Sequence, residues 1–299
     1  MALEDILLSY PNVIGYGKGY KRIRGKLTGE PATVVLVTDK IPEIQLSSID
    51  LIPREFDGRL IDVLPVGIIR ALRTTKHRPA PGGVSIGHHA ITAGTFGVVV
   101  TDAQSDRRLI LSNNHVLANS NDASPGNAIY QPGPIDGGTA ADTIALLERF
   151  IPIDFGKGGC LPLPLFLKSR QQANLVDAAL ARPLSDGDIS DSILEIGLVS
   201  GILPATLGMA VKKSGRTTGL THSSIQVIDA TVQVQYGEGR LATFNDQLIT
   251  GPMSQGGDSG SLVVDEEEDA AVGLLFAGSN EVTILNKISN VTQLLGVTI

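Results

Sequence analysis

One short stretch limits what this chain can fold into more than any other. It is Gln255-Gly256-Gly257-Asp258-Ser259-Gly260-Ser261, running straight into Leu262-Val263-Val264. Glycines on both sides of an acid–serine pair let the backbone turn tightly where a Cβ would clash. The apolar run behind them reads as a buried strand. Such a turn can leave the Ser259 hydroxyl exposed, with the Gly257 and Ser259 amides pointing the same way. That pairs a nucleophile with an oxyanion hole. The same letters also occur in ordinary turns that enter a strand. A catalytic reading therefore needs a histidine and a buried acid elsewhere in the chain.

Composition sets the frame for that search. With 299 residues, 18% charged and 42% hydrophobic, the chain can bury an ordinary core in one large or two to three small domains. Gly 34 and Pro 16, with no Trp, favour many turns and a β-rich chain. The net charge of −7 argues against sequence-independent nucleic-acid binding, which needs clustered Lys and Arg. The one basic run, Lys18 to Lys26, is short and spaced like a hairpin. Cys160 stands alone, so no internal disulfide can form. No apolar stretch is long enough to span a bilayer. Met1-Ala2-Leu3-Glu4-Asp5-Ile6 carries an acid pair where a signal peptide would carry positive charge, so the expected location is cytoplasmic.

Taken in order, Leu3, Ile6, Leu7 and Tyr10 have helical spacing, and strand-like runs follow at 13–20, 32–38 and 60–66. This small α/β unit ends near Leu72 and holds no cluster of Ser, His, Cys and acids. Arg73 to Val84 mixes Pro, Gly and positive charge without periodicity, which marks a boundary. The expected division is an N-terminal extension and linker at 1–80, then units at 81–187 and 188–299. Residues 97–101 and 108–111 flank a turn and predict a hairpin. At its end stands Ser112-Asn113-Asn114-His115-Val116-Leu117. Thr143 to Phe150 fits a strand or a short helix, and Pro152 to Gln172 is an irregular insertion. Asn174 to Ala181 then places one acid, Asp177, inside an apolar run. In the second half, alternation from Ile225 to Tyr236 slips phase near Ile228-Asp229, as a β-bulge would make it. The acidic run Asp265 to Asp269 reads as a hairpin tip. Ile288, Val291, Leu294 and Leu295 predict a C-terminal helix, with Asn286 or Ser289 as its cap.

Ser259, His115 and Asp177 now form a coherent set. A serine hydroxyl needs a base, a neutral imidazole can take its proton, and a buried carboxylate fixes the imidazole's tautomer. An acid flanked by Val176 and Ala178-Ala179-Leu180 would be buried, and burial without a partner is costly. Here the sequence resembles the trypsin-like, chymotrypsin-fold serine endopeptidases, whose chain order is also His, Asp, Ser. Ser112 to Val116 is similar to that family's histidine motif, Val176 to Leu180 to its acid motif, and Gly257-Asp258-Ser259-Gly260 to its serine motif. Ser214-Gly215-Arg216-Thr217-Thr218-Gly219 is similar to a segment of bacterial members. The branch that looks nearest is the disulfide-free bacterial proteins related to the plant narrow-leaf proteases. The resemblance covers roughly residues 81–299. It implies a mainly β fold of two six-stranded antiparallel β-barrels, with a small N-terminal α/β extension and a C-terminal helix. It also implies catalytic His115, Asp177 and Ser259, an oxyanion hole of the Gly257 and Ser259 amides, and peptide-bond hydrolysis through an acyl-enzyme. The position six before the serine, Met253, would floor the substrate pocket, with Phe276 and Gly278 in its wall and an apolar P1 preference.

The chain departs from that pattern in three places. Ser261-Leu262 stands where Gly-Pro is common, Asn113-Asn114 precedes the histidine, and no Ile-Val-Gly-Gly activation site is present, so no trypsin-style zymogen switch is expected. Asp142, in Asp142-Thr143-Ile144-Ala145-Leu146-Leu147, is the second-choice acid, but two strands and a loop fit better in the longer gap before Asp177. Among the other histidines, His77 lies in the linker, His88-His89 lacks further metal ligands at suitable spacing, and His222 sits in a turn. No metal or other cofactor is expected. An α/β-hydrolase elbow fails because Ser261 stands where the final glycine of Gly-x-Ser-x-Gly is needed. The partners expected are a protein or peptide substrate, with no nucleic acid and no membrane; a homo-oligomer is left open. The alternative is a catalytically silent protease-fold binding or scaffold protein.

Overall fold

Apolar and β-branched residues between Val13 and Val37 fold as an antiparallel hairpin, β1 (Val13–Ile23) and β2 (Lys26–Val37), in the computed structural model. Short β3 (Glu55–Phe56) pairs antiparallel with β4 (Arg59–Pro65), and β4 lies parallel to β2, giving the order β1-β2-β4-β3. Leu7, Val13, Val35, Val37 and Ile61 form this sheet's core. The structure describes residues 6–47, 49–56, 58–67, 73–156, 173–237 and 239–299. The chain divides into two units, Met1–Ala71 and Leu72–Ile299. The helix expected at 3–10 lies partly outside the described residues, with Ile6 and Leu7 helical. Cys160 and most of the 152–172 insertion lie outside them altogether.

The larger unit is built from strands, as its turn-rich composition requires. The first half contributes β5 (Ala80–Gly82), β6 (Ser85–His88), β7 (Gly94–Thr95), β8 (Val98–Asp102) and β9 (Arg108–Ser112). A single helical turn, α1 (Asn114–Leu117), follows β9. Then come β10 (Ala128–Tyr130), β11 (Thr143–Phe150) and β12 (Ala179–Pro183). β8 and β9 form the expected hairpin, in register Val98↔Leu111. Residues 143–150 are a strand, which settles the open choice there. β13 (Ile189–Ile193) pairs parallel with β5.

The second half contributes β14 (Ala210–Gly215), β15 (Gly219–Gln235), β16 (Leu241–Thr250), β17 (Leu262–Asp265), β18 (Ala271–Gly278) and β19 (Thr283–Lys287). Helix α2 (Ile288–Leu295) and β20 (Val297–Thr298) end the chain. β14-β15-β16-β19-β18-β17 close into a barrel of six. The first half instead forms an eight-membered sheet in the order β20-β8-β9-β12-β11-β10-β6-β7, with the C-terminal β20 joined to its edge at β8. The mainly β architecture, the closed six-stranded second half and the C-terminal helix match the expectation, while the first half is a half-barrel sheet of eight members in place of a six-stranded barrel. The bulge in β15 falls where the pattern slipped, with register shifts around Val227–Ala230 and Asp229 at φ 56°. Asn286 does not cap α2. It lies inside β19, and the N-cap position is Lys287, without a side-chain cap bond.

One core fills the first sheet, around Ile86, Phe96, Ile110, Ile129 and Leu147. Another fills the six-stranded barrel, around Val211, Ile225, Leu248 and Val263. Between them a shared layer packs Val98, Leu111 and Leu180 against Leu262, Leu274 and Val291. That layer sets the two sheets against each other, and the loops carrying His115, Asp177 and Ser259 leave the strands beside it.

Candidate active site

Antiparallel pairing brings the acid to the histidine. β9 and β12 are neighbours with Ser112 opposite Ala179, so the residues just after Ser112 lie beside those just before Ala179. Asn113 Nδ2 donates to the Asp177 carbonyl at 2.8 Å, and Asp177 N donates to Asn286 Oδ1 at 3.1 Å. Both asparagines are fully buried. The unusual Asn113-Asn114 pair is thus structural. Asn113 holds the acid's backbone, while Asn114 Nδ2 donates to Ile151 O and Asn121 Oδ1, both at 2.8 Å. On this frame the Asp177 side chain, with no exposed surface, meets His115. Nδ1 lies 2.6 Å from Asp177 Oδ2, and the His115 amide donates to Oδ1 at 3.2 Å. With Nδ1 directed at the carboxylate, the other ring nitrogen is left as the available base.

Asp142 is not brought to this place. It accepts from Lys76 Nζ at 2.8 Å and closes a capping box with Thr139. The hydrogen bonds from Lys76 and then Thr139 draw its carboxyl down to about 2. His77 and His222 are engaged at the surface, by Thr75 and Glu266. The His88 and His89 rings lie against each other, tilted by 41° with centroids 4.1 Å apart. Among the described residues no group of three His, Cys, Asp or Glu could hold a metal ion. Nor is any helix among them long and apolar enough to cross a membrane.

The serine loop is positioned by hydrogen bonds from both sheets. Gly260 N donates to Leu275 O at 2.8 Å and Leu275 N to Ser261 O at 3.0 Å, so the loop leaves β17 along β18. From the first sheet, Thr95 N donates to Ser259 O at 2.8 Å and Thr95 Oγ1 to Gly257 O at 2.9 Å. Gly260 adopts φ +95°, and a Cβ there would collide with Ser112 Oγ and the Thr95 carbonyl, so no other residue fits. Gly257, at φ +98°, would press a Cβ to 2.5 Å from Thr217 Oγ1.

Two hydroxyls orient the oxyanion-hole candidates. Thr217 Oγ1 donates to Gly256 O at 2.8 Å. In a trans peptide the N–H points opposite the C=O, so the Gly257 N–H is turned away from Thr217. Ser261 Oγ donates to Asp258 O at 2.6 Å, which turns the Ser259 N–H in the same manner. Neither amide donates to any group among the described residues. Ser261, a departure from the family pattern, therefore fixes a peptide plane.

Asp258, between these amides, is fully buried and so is its partner Lys213, at 3.3 Å. Asp258 also accepts from the Thr217 and Thr218 amides (2.8 and 3.1 Å), from Thr218 Oγ1 (2.7 Å) and from Gln255 N (2.9 Å). Breaking a buried pair by removing one partner costs about 3–5 kcal/mol, because the other charge is left uncompensated. An internal lysine thus holds the acid that precedes Ser259.

Ser259 Oγ lies 3.5 Å from the Phe276 carbonyl, and no hydrogen bond joins it to His115 among the described residues. The two side chains line adjoining clefts that share Ala277 and Gly278. The cleft beside Ser259 is walled by Leu275 and Ala277 and rimmed by Ser254, Ser279 and Asn280. Met253 does not line it. This side chain is 4% exposed and packs in the barrel core, while its neighbour Ser254 faces the cleft. Phe276 is nearly buried, packs on Phe244 and lines the His115 side, and Gly278 borders both clefts. Sequence reasoning missed Lys213, Thr217, Tyr236 and Asn286. Their local sequence carries no signal that separates them: even Lys213 sits beside Lys212 and Ser214 in a mixed strand.

No family model and no curated protein matches the chain. Solved structures do. A Nocardiopsis protease (NAPase) superimposes with TM-score 0.51 at 20% identity, over 73% of this chain and 96% of that one. A glutamic acid-specific serine protease, which uses a histidine triad in substrate binding, gives 0.51 at 20%, over 73% and 99%. Thermobifida fusca protease A gives 0.50 at 18%, over 73% and 96%. Likeness at such low identity speaks for architecture and not for activity. In its architecture, the chain carries the chymotrypsin-type fold of bacterial serine proteases.

Proposed function

We propose that the chain is a serine endopeptidase, with Ser259 as nucleophile, His115 as general base and then acid, and Asp177 as the group that orients His115. The observation that carries this reading is the hydrogen bond between half-buried His115 and fully buried Asp177, set in one seam with a serine whose loop offers two undonated amides. In this reading Ser259 Oγ exchanges the Phe276 carbonyl for His115 as its partner before it attacks. The hydroxyl proton passes to His115 as Oγ attacks the scissile carbonyl. The Gly257 and Ser259 amides take the developing oxyanion. His115 returns the proton to the departing amine, and water, deprotonated by the same imidazole, hydrolyses the ester and frees Ser259.

Among the described residues none that lines the cleft beside Ser259 carries a charge, so a Lys, Arg, Asp or Glu at P1 would be desolvated without a partner. An uncharged P1, apolar against Leu275 and Ala277, fits best. A reducing compartment suits a chain with one cysteine. A second reading, a silent binding or scaffold protein of the same fold, is favoured by one observation: Ser259 Oγ contacts the Phe276 carbonyl instead of His115. Cleavage of a peptide library by the full chain and by Ser259→Ala separates the two. The expected result is cleavage after uncharged residues, lost in the variant. Cleavage unaffected by Ser259→Ala, or mainly after charged residues, contradicts the corresponding part of the reading.

A further inference from the structure

The Asp177 carboxylate accepts three hydrogen bonds, and two of them come from His115 itself. The third comes from Tyr236. Its hydroxyl donates to Asp177 Oδ2 at 2.7 Å, the same oxygen that meets His115 Nδ1 at 2.6 Å. Tyr236 directly follows β15, so it belongs to the six-stranded barrel, whereas His115 and Asp177 flank strands of the first sheet. Its ring stands edge-on to His115 at 5.8 Å and to Phe155 at 5.4 Å, and is tilted against Phe244 at 6.2 Å. Burial, and then the negative charge of Asp177, push the phenol's pKa up, so the hydroxyl keeps its proton and acts as donor.

This arrangement has a geometric consequence. Asn286 of β19 already ties the Asp177 backbone to the barrel that carries Ser259. The carboxylate is a separate matter: held only by His115, it could turn together with the imidazole relative to Ser259. The Tyr236 hydroxyl is the one group among the described residues that hydrogen-bonds the carboxylate from the Ser259 side of the seam. We propose, resting on the peptidase reading, that Tyr236 is a positioning residue: it fixes the Asp177–His115 pair against the barrel that carries the nucleophile. It also shares Oδ2 with the imidazole, which tempers how strongly the carboxylate stabilises a charged ring. Among the described residues the other charged groups facing the His115 cleft are Asp122 and Arg240, which pair with each other at 2.9 Å.

The test is Tyr236→Phe in the full chain, which keeps the ring's packing on Phe155 and Phe244 and removes only the hydroxyl. The expected result is a fall in kcat of about 10-fold with KM little changed. The acidic limb of kcat/KM should move to higher pH by about half a unit, because a carboxylate with one donor fewer favours the protonated imidazole. The His115 Nδ1 proton resonance should move downfield as its hydrogen bond to Oδ2 strengthens. A loss of rate with neither the limb nor the resonance moved would mean a merely structural role and overturn the proposal. So would an unchanged rate, limb and resonance. The resonance can be read whether or not the protein cleaves peptides, so failure of the peptidase reading remains distinguishable from failure of this one.

Discussion

Thr217 shows how much one hydroxyl can decide. Its bond to Gly256 O selects which way the following amide points, and glycines on both sides offer little resistance to the opposite choice. Thr217→Val keeps the shape and removes the donor. We expect kcat/KM to fall roughly 10- to 100-fold, somewhat less than deletion of an oxyanion donor outright, with Thr217→Ser restoring most of it. Peptide hydrolysis under steady-state conditions checks this, and a Val variant as active as wild type would contradict it. At this scale the sequence was partly readable. Asp177 drew attention because an acid in an apolar run must find a partner, and His115 is that partner. Thr217, Ser261 and Tyr236 were silent because a hydroxyl's role depends on which carbonyl or carboxylate the fold brings near. Met253 misled because counting back from Ser259 gives a position and not a direction. Its side chain turned into the barrel core and left Ser254 at the cleft.

Elements were easier to read than their partners. Apolar alternation and turn residues located the β8–β9 hairpin, the β15 bulge and helix α2, because each depends on neighbours a few residues away. Pairing between distant segments leaves no such trace. Nothing local in Val297-Thr298 says that they will join the edge of β8 and help extend the first sheet to eight members. Asn286 shows the same limit. It stands just before a helix, where an asparagine commonly caps, yet it is buried in β19 and spends its amide on Asp177 and Leu274. The long-range bond won because an unpaired amide in that buried position would have cost more than a cap at an exposed helix end contributes.

At the scale of the larger unit, its two halves are joined by charge as well as by their shared apolar layer. Arg216, in the β14–β15 turn, grips Asp136 of the first half through two bonds of 2.5 and 2.7 Å, and Ser85 Oγ adds a third at 2.5 Å. Burial alone would raise the Asp136 carboxyl, but the bonds from Arg216 and Ser85 outweigh it and hold it below the usual carboxylate range. A lowered native value means that this stabilisation is present above the unfolded value near 3.9 and is lost as pH falls through the folded one. Asp136→Asn should therefore cost roughly 2 kcal/mol near neutrality and progressively less below about pH 4. Urea unfolding of both proteins across that range checks it, and a gap that stays constant down to pH 2 would be the wrong outcome.

The central claim is that Ser259 is made nucleophilic by His115 across the seam between the barrels. Mass-spectrometric mapping after treatment with a fluorophosphonate tests it most directly. A single adduct on Ser259 is expected in the full chain, and none in a folded His115→Ala variant. A folded wild-type protein that takes no label, or an adduct at Ser259 that forms equally well without His115, would contradict it.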